Sequence, residues 1–173
     1  MTVATSKICI VGDFAVGKTS VVERFVNNHF SAKYLTTVGV KIDTKEVSLE
    51  EQGVSIKLIV WDVAGAEEFG AREFAYLRGA SGIVYVVDGT RSPTLESAKN
   101  LKQQIEEQYG PHPAVLLLNK SDLAGTWQVK DDVVGSLAED FDRIYRTSAK
   151  TGDAVETALI TLTQLIVAVD LQR

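Results

Sequence analysis

The sequence predicts an α/β fold, in which a mostly parallel β-sheet is covered by helices on both faces. Apolar segments of strand length alternate with longer amphipathic segments, an order typical of β-α-β units. Residues 114–118 are apolar at every position, which indicates a strand that is buried on both faces. Polar motifs follow several of these segments, and ligands of such sheets bind outside the carboxyl ends of the strands.

The first half of the chain contains three predicted strands and one helix. A β-branched apolar run at residues 7–11 predicts the first strand. Lys18–Asn27 carries apolar side chains at helical spacing and predicts a helix. Val40–Leu49 alternates between apolar and polar residues, and a turn at 50–53 leads into Val54–Val63, so these two strands are expected to form an antiparallel hairpin.

The second half continues the alternation of strands and helices. Pro93 suits the first turn of a helix that runs to Tyr109, where Gly110 and two prolines stop it. The other predicted strands are residues 83–87, 114–118 and 143–145, and the other predicted helices are residues 130–140 and 153–170.

Length and composition set the class of protein. A chain of 173 residues suits one domain, here residues 1–173, and a net charge of −5 argues against nucleic acid as a partner. Cys9 is the only cysteine, which excludes an internal disulfide and fits the cytoplasm. Residues 157–169 are too short to span a bilayer, and the last residues hold no cysteine for prenylation. Membrane association would therefore require a lipidated C-terminus that this chain lacks.

Residues 12–19 match the pattern G-x-x-x-x-G-K-[ST] between a predicted strand and a predicted helix. Gly12 and Gly17 permit torsions that turn successive amides toward a phosphate. Lys18 would reach the β- and γ-phosphates, and the hydroxyl of Thr19 would bind Mg²⁺. Average residue frequencies give this pattern by chance in about one chain of this length in a hundred.

Asp62 and Gly65 form a D-x-x-G pattern at the end of the third predicted strand. A carboxylate at this place can hold Mg²⁺ through a water molecule, and a glycine amide can approach the γ-phosphate. The pattern is weak by itself, because most D-x-x-G strings are turns. Its place one hairpin after the phosphate-binding loop strengthens it.

The string Asn119-Lys120-Ser121-Asp122 follows the buried strand at 114–118 and would select the base. A carboxylate accepts from N1–H and the 2-amino group of guanine together, a pairing that adenine does not offer. A missing partner in a polar pocket costs orders of magnitude in affinity. Ser148-Ala149-Lys150 follows the last predicted strand, where an amide would reach the 6-oxo group of guanine and Lys150 would lie along the ring.

In their order and spacing, the four motifs resemble those of the Ras superfamily of small GTPases over essentially the whole chain. Residues 34–40 look like the first switch of Rab proteins, and residues 61–65 look like the W-D-T-A-G entry to the second switch. The resemblance implies a P-loop NTPase G domain with a six-stranded, mostly parallel sheet, one antiparallel edge strand and helices on both faces. It also implies GTP and GDP binding with Mg²⁺, slow hydrolysis of GTP and two loops that order with the γ-phosphate. Effectors, an exchange factor and a GTPase activator are the expected protein partners of a monomer.

The resemblance also assigns residue roles. Thr37 becomes the second Mg²⁺ ligand beside Thr19, with Asp62 acting through water, and Phe30 stacks on guanine. The implied catalytic positions are Lys18, Thr37, Gly65 and Ala66. The implied nucleotide-binding residues are Asp13, Phe14, Ala15, Val16, Gly17, Lys18, Thr19, Ser20, Phe30, Tyr34, Thr37, Gly65, Asn119, Lys120, Asp122, Ser148, Ala149 and Lys150.

Two departures from the family pattern concern hydrolysis more than binding. Ala66 stands where the family has the glutamine that orients the attacking water. Phe14 and Ala15 stand where the family has small residues, usually Gly or Ser followed by Gly. Whether Glu67 or Glu68 replaces the glutamine stays open, although a carboxylate near a developing phosphate charge is unfavourable.

The sequence is compatible with three functions. The first is a switch that hydrolyses GTP slowly and binds effectors in the GTP state. The second is a guanine-nucleotide module that does not hydrolyse GTP or cycles by exchange alone, which Ala66 and Phe14 favour. The third is an ATP-using kinase with a phosphate-binding loop, which the string from Asn119 to Asp122 opposes.

Overall fold

Six strands form one sheet in the computed structural model, which describes residues 2–31, 39–65 and 69–173. The strands are β1 (Thr2–Val11), β2 (Val40–Leu49), β3 (Val54–Val63), β4 (Gly82–Asp88), β5 (Ala114–Asn119) and β6 (Arg143–Arg146). The helices are α1 (Lys18–Asn27), α2 (Ala71–Tyr76), α3 (Pro93–Tyr109), α4 (Asp131–Ser136) and α5 (Val155–Asp170), with a short 3-10 turn at Ala124–Thr126.

The strands lie in the order β2-β3-β1-β4-β5-β6. β2 pairs with β3 in an antiparallel hairpin whose register runs from Val40 opposite Val63 to Leu49 opposite Val54. Every other pair of neighbouring strands is parallel. The fold predicted from the sequence, a mostly parallel six-stranded sheet with one antiparallel edge strand, is therefore confirmed.

Apolar side chains cover both faces of the sheet, as the uninterrupted apolar strands require. Ile8 and Ile10 of β1 point to the cluster that includes the apolar side chains of α1 and α5. Cys9 and Val11 alternate with them and point to the cluster that includes the buried side chains of α3. The central strands are thus buried on both sides, which leaves their carboxyl ends as the place where polar groups can meet.

Several element bounds differ from the prediction. β1 begins at Thr2 rather than at residue 7, because its polar first half pairs with β3 from Thr2 opposite Val54 onward. The helix α4 ends at Ser136 rather than at 140, since Gly135 lies in its last turn and glycine is a poor helix former.

Two further differences concern helices that follow a loop. The short helix Ala71–Tyr76 lies in a segment for which the sequence predicted no element. The last helix begins at Val155 instead of 153, because Gly152 and Ala154 take left-handed torsions, with φ of 86° and 59°. In the described part of the chain, none of the helices combines the length and the apolar character needed to cross a membrane.

Candidate functional site

The phosphate-binding loop predicted at 12–19 connects β1 to the N-terminus of α1. Gly17 caps this helix with φ of 100°, a left-handed torsion that favours glycine. A Cβ atom on Gly17 would lie 2.4 Å from Nδ2 of Asn119, so the loop also needs glycine to let the two segments approach. The Nζ atom of Lys18 donates to the carbonyl of Asp13 at 2.6 Å and thus lies across the loop.

The ammonium group of Lys18 is buried, with 6% of the residue exposed. Burial lowers the pKa of Lys18 to about 8, while Asp62 and Asp13 raise it and the Arg91 charge lowers it further. An ammonium group that has lost much of its water gains more from a phosphate than an exposed one does. The loop therefore places a desolvated cation beside a helix N-terminus, an arrangement suited to an anion.

The carboxyl end of β3 brings a second set of groups to this loop. The hydroxyl of Thr19 donates to Oδ2 of the buried Asp62 at 2.6 Å. A hydroxyl and a carboxylate are the hard oxygen donors that Mg²⁺ prefers, so these residues fit that ion. A Cβ on Gly65 would lie 2.6 Å from the amide of Phe14 and 2.8 Å from Nζ of Lys18. The backbone after Asp62 thus packs directly on the phosphate-binding loop.

Asn119 joins the loops that the sequence could only place separately. Its side chain is 2% exposed, and Nδ2 donates to the carbonyl of Val16 at 3.0 Å. Its Oδ1 accepts from the hydroxyl of Thr147 at 3.2 Å and from the amide of Ala149 at 3.3 Å. One buried amide group therefore links the phosphate-binding loop to the loop that follows β6.

The other residues predicted for base selection lie beside Asn119. The hydroxyl of Ser148 donates to Oδ1 of Asp122 at 2.8 Å. Asp122 is exposed to solvent. The amide of Ser121 donates to the carbonyl of Thr147 at 3.0 Å, which ties the loops after β5 and β6 together. An oriented carboxylate that is open to solvent on one side can accept from a base with two neighbouring donors.

Arg24 of α1 holds the loop after β6 from the other side. Its Nε donates to the carbonyl of Ala149 at 2.8 Å, and Nη2 donates to the carbonyl of Lys150 at 2.5 Å. The sequence analysis did not single out Arg24, since it lies outside the four motifs. The sequence carries no signal for this contact, because Arg24 and Ala149 lie 125 positions apart.

Asp88 is a second residue that the sequence analysis missed. It ends β4 beside Asn119 in the register and is 1% exposed. Lys120 lies 3.0 Å from its Oδ2 and also donates to the carbonyl of Ala15 at 2.9 Å. Burial raises the pKa of Asp88, but hydrogen bonds from Thr90 and Lys120 outweigh it and lower the pKa overall. A polar residue at the carboxyl end of an apolar strand was its only sequence signal.

The departures from the family pattern have defined geometry at two positions. Phe14 is 54% exposed, so its ring stands largely in solvent at the loop surface. Ala15 has φ of 63°, a left-handed torsion that few residues with a Cβ adopt.

The remaining predicted site residues are only partly described. Phe30 is half-buried and packs against the hydrophobic cluster between the sheet and the helices α1 and α5, and Ser20 is half-buried on α1. The predicted roles of Tyr34, Thr37 and Ala66, and the open question about Glu67 and Glu68, fall outside the described residues.

Comparison with known proteins identifies the family. The sequence model of the Ras family matches residues 7–168 of this chain. The Ras-related protein Rab-32C of Dictyostelium discoideum is 37% identical over 164 residues, which cover 92% of this chain and 72% of that protein. The Ras-related protein Rab-8A of Gallus gallus is 38% identical over 164 residues, with 94% of this chain and 78% of that protein covered. GTP-binding protein yptV2 of Volvox carteri is 36% identical over 168 residues, which cover 95% of this chain and 76% of that protein.

The matched region contains the whole edge of the sheet where these polar loops meet. The Rab-related proteins span most of the chain at more than a third identity, which agrees with the Rab-like segments noted in the sequence. The chain belongs to the Ras family and is a Rab-like, GTP-binding regulatory GTPase.

Proposed function

We propose that this protein is a guanine-nucleotide switch that binds GTP and GDP with Mg²⁺ and hydrolyses GTP more slowly than an ordinary member of its family. The observation that carries the proposal is the position of Asn119, whose buried side chain holds Val16 and Ala149 together. Phosphate-binding and base-selecting loops joined in this way would keep the two ends of one nucleotide at a fixed distance. We also infer that residues 1–173 form a single G domain, since all described strands lie in one sheet and all described α-helices contribute to its two hydrophobic clusters.

At the phosphate end, the buried Lys18 and the Gly65 amide would bind the terminal phosphates. Thr19 and Asp62, the latter through water, would hold Mg²⁺, with Thr37 as the second protein ligand. When bound, the ion would neutralise phosphate charge and orient the oxygens of the triphosphate. The short contact between the Thr19 hydroxyl and Asp62 supports this pairing, because it brings both oxygen donors to one point.

At the base end, Asp122 would accept from guanine, with Ser148 holding the carboxylate in place. A backbone amide of residues 148–150 would reach the 6-oxo group, Lys120 and Lys150 would flank the ring, and Phe30 would stack on it. Adenine would leave Asp122 without its two donors, and an unpaired polar group in a binding site is costly. We therefore infer a strong preference for guanine.

Hydrolysis requires a positioned water and stabilisation of charge on the γ-phosphate. Ala66 has no polar side chain with which to hold that water. The exposed ring of Phe14 stands at the loop surface and would obstruct the arginine finger of an activator. These two residues support a low intrinsic rate and poor stimulation by activators, and they also favour the second candidate, a guanine-nucleotide module that does not hydrolyse GTP.

Members of this family act through effectors, exchange factors and activators, and we expect the same classes of partner here. Ordering of residues 34–39 and 64–78 by the γ-phosphate would create the effector surface. Anchoring to a membrane would require a lipidated C-terminus, and the acidic net charge gives no reason to expect a nucleic-acid partner.

The nucleotide that remains bound after purification tests the proposal. The protein would be denatured, and the released nucleotide would be identified by ion-exchange chromatography. We expect GDP; GTP would favour the module that does not hydrolyse GTP, and an adenine nucleotide would contradict guanine binding. Equal competition by ATP and GTP against a fluorescent GDP would contradict it as well.

Amide hydrogen exchange tests the switch itself. Protection of residues 34–39 and 64–78 should rise when GDP is replaced by a GTP analogue that is not hydrolysed. Identical exchange in the two states would contradict the switch while leaving nucleotide binding intact.

A further inference from the structure

Arg91 reaches the phosphate-binding loop from the turn between β4 and α3. Its Nη1 and Nη2 atoms donate to the carbonyl of Phe14 at 3.3 and 3.2 Å. The next carbonyl along the loop, that of Ala15, accepts from Nζ of Lys120 at 2.9 Å. Two consecutive loop carbonyls are therefore each bound by a cation, and the two cations come from different loops.

Asp88 holds both cations. Its Oδ2 lies 3.0 Å from Nζ of Lys120 and 3.7 Å from Nη1 of Arg91. Its Oδ1 accepts from the amide of Thr90 at 2.9 Å and from the hydroxyl of Thr90 at 2.6 Å. Because the carboxylate is 1% exposed and fixed by these bonds, it gives both cations a fixed anchor.

The two bound carbonyls belong to the peptide groups on either side of the Cα atom of Ala15. Holding both peptide planes fixes φ and ψ of that residue, which has a left-handed φ of 63°. Such a torsion is unfavourable for a residue with a Cβ and persists only where neighbouring groups hold it. The cations bound to Phe14 and Ala15 supply that restraint.

The same bonds decide where the amides point. In a trans peptide the N–H lies opposite the C=O, so carbonyls turned toward Arg91 and Lys120 turn the amides of Ala15 and Val16 the other way. In the predicted phosphate-binding loop, amides turned to that side would face a bound phosphate. The effect of Arg91 on the loop is thus exerted through the backbone of Phe14 and Ala15.

We propose that Arg91, anchored by Asp88, is a positioning residue that aims the amide of Ala15 at the β-phosphate of the bound guanine nucleotide. The inference rests on the proposed guanine-nucleotide binding and adds to it a residue outside the four motifs. The proposal predicts that loss of Arg91 weakens the binding of nucleotides that carry a β-phosphate. Binding of GMP, which has no β-phosphate, should not change.

The test compares the parent with Arg91→Ala, Arg91→Met and Arg91→Lys. Dissociation of a fluorescent GDP would be measured by stopped flow, and affinity for GMP by competition. A hydrogen bond with a charged partner contributes enough that its loss should speed GDP dissociation about 5- to 30-fold in the Ala and Met variants. The Lys variant keeps the charge and one donor direction, so its rate should lie between that of the parent and that of the Ala variant.

Two controls separate positioning from general damage to the fold. Arg91 is half-exposed in a turn, so its replacement leaves no core cavity, and the Met variant keeps the apolar stem of the side chain. Arg143, an exposed arginine at the start of β6, provides the matched control Arg143→Ala, which should change neither GDP nor GMP binding. In NMR spectra of the GDP complex, Arg91→Ala should shift the amide signals of Ala15 and Val16 and leave that of Ala149 in place.

The outcomes are distinguishable. An unchanged GDP dissociation rate in Arg91→Ala, or an equal loss of GDP and GMP affinity, would overturn the role of Arg91 while leaving guanine binding intact. A parent protein that binds neither GDP nor GMP would instead overturn the proposed function. Selective loss of GDP affinity, together with the shifted Ala15 and Val16 amides, is the result that we expect.

Discussion

The two halves of the candidate site are held together by different contacts. The base loops, residues 119–122 and 147–150, are fixed by buried side chains such as Asn119 and by Arg24 from α1. The phosphate loops, residues 12–17 and 62–65, are fixed by close backbone approach at Gly65 and by cations that bind the loop carbonyls. All departures from the family pattern found in the sequence lie on the phosphate side or directly after it.

This contrast teaches that binding and hydrolysis should be separable in this protein. The base loops keep every motif residue, so selectivity for the nucleotide is expected to follow the family. The phosphate loops keep the groups for binding, Lys18 and Thr19, but carry Phe14 and Ala15 where small residues are usual. A substitution in one half of the site should therefore change the property of that half and leave the property of the other half unchanged.

The largest effect is expected at the base loops. Asp122→Asn should shift the preference from guanine toward xanthine nucleotides, whose 2-oxo group accepts where guanine donates, by a factor on the order of 10⁴. Competition of GDP and XDP against a fluorescent nucleotide measures it. Asp132→Asn, at an exposed acid of α4, is the matched control and should keep the parent preference. An Asp122 variant that still prefers GDP would place base selection elsewhere.

At the phosphate loops, Thr19→Asn should weaken GTP more than GDP, because Thr19 would hold the Mg²⁺ that neutralises the additional charge of the triphosphate. We expect a difference of about 10- to 100-fold between the two nucleotides, and it should vanish when Mg²⁺ is chelated. Equilibrium titration with and without Mg²⁺ checks this, with Thr44→Asn on the exposed face of β2 as the control. Retention of parental GTP affinity would show that Thr19 does not bind the ion.

Hydrolysis should respond to the two departures jointly. Ala66→Gln alone should raise the single-turnover rate modestly, and Ala66→Gln with Phe14→Gly should raise it most, by about tenfold or more, because a positioned polar group commonly contributes 10- to 10³-fold. Guanine preference should stay unchanged in all variants. Leu171→Gly, at another exposed apolar residue, is the control.

Two results would argue against this account of hydrolysis. One is a parent rate that already matches ordinary small GTPases, and the other is a fall in rate on Ala66→Gln. Either would mean that another group orients the water, and Glu67 would be the first to replace.

The smallest effect concerns the backbone of the phosphate loops. Ala15→Gly should raise the free energy of unfolding by about 0.5–1 kcal/mol, because glycine adopts a φ near 63° without strain but loses more chain entropy. Ala154→Gly is matched to it, with φ of 59° at the start of α5. Denaturation in saturating GDP should show similar gains for both, whereas only Ala15→Gly should alter GDP dissociation. Equal effects of the two variants on dissociation would contradict a special role for the loop.

Local patterns in the sequence determined much of the result. Apolar runs and alternating segments of strand length predicted a strand at all six places, and the hairpin of β2 and β3 followed from alternation and a turn, because side-chain periodicity is a local property. The motif residues lie at strand ends, where a parallel sheet gathers polar groups. The short helix Ala71–Tyr76 and the polar first half of β1 escaped prediction, since both depend on contacts with distant segments.

Only the tertiary structure decided which residues hold the motifs in place. Arg24, Asp88 and Arg91 match no motif. The contacts that fix the loops join distant positions: Asn119 and Val16 are 103 positions apart, and Arg91 and Phe14 are 77 apart. These pairs meet because β1, β4 and β5 are neighbours in the sheet and end at the same edge. Sequence spacing carries no signal of such contacts, since strand order, and not distance along the chain, brings the loops together.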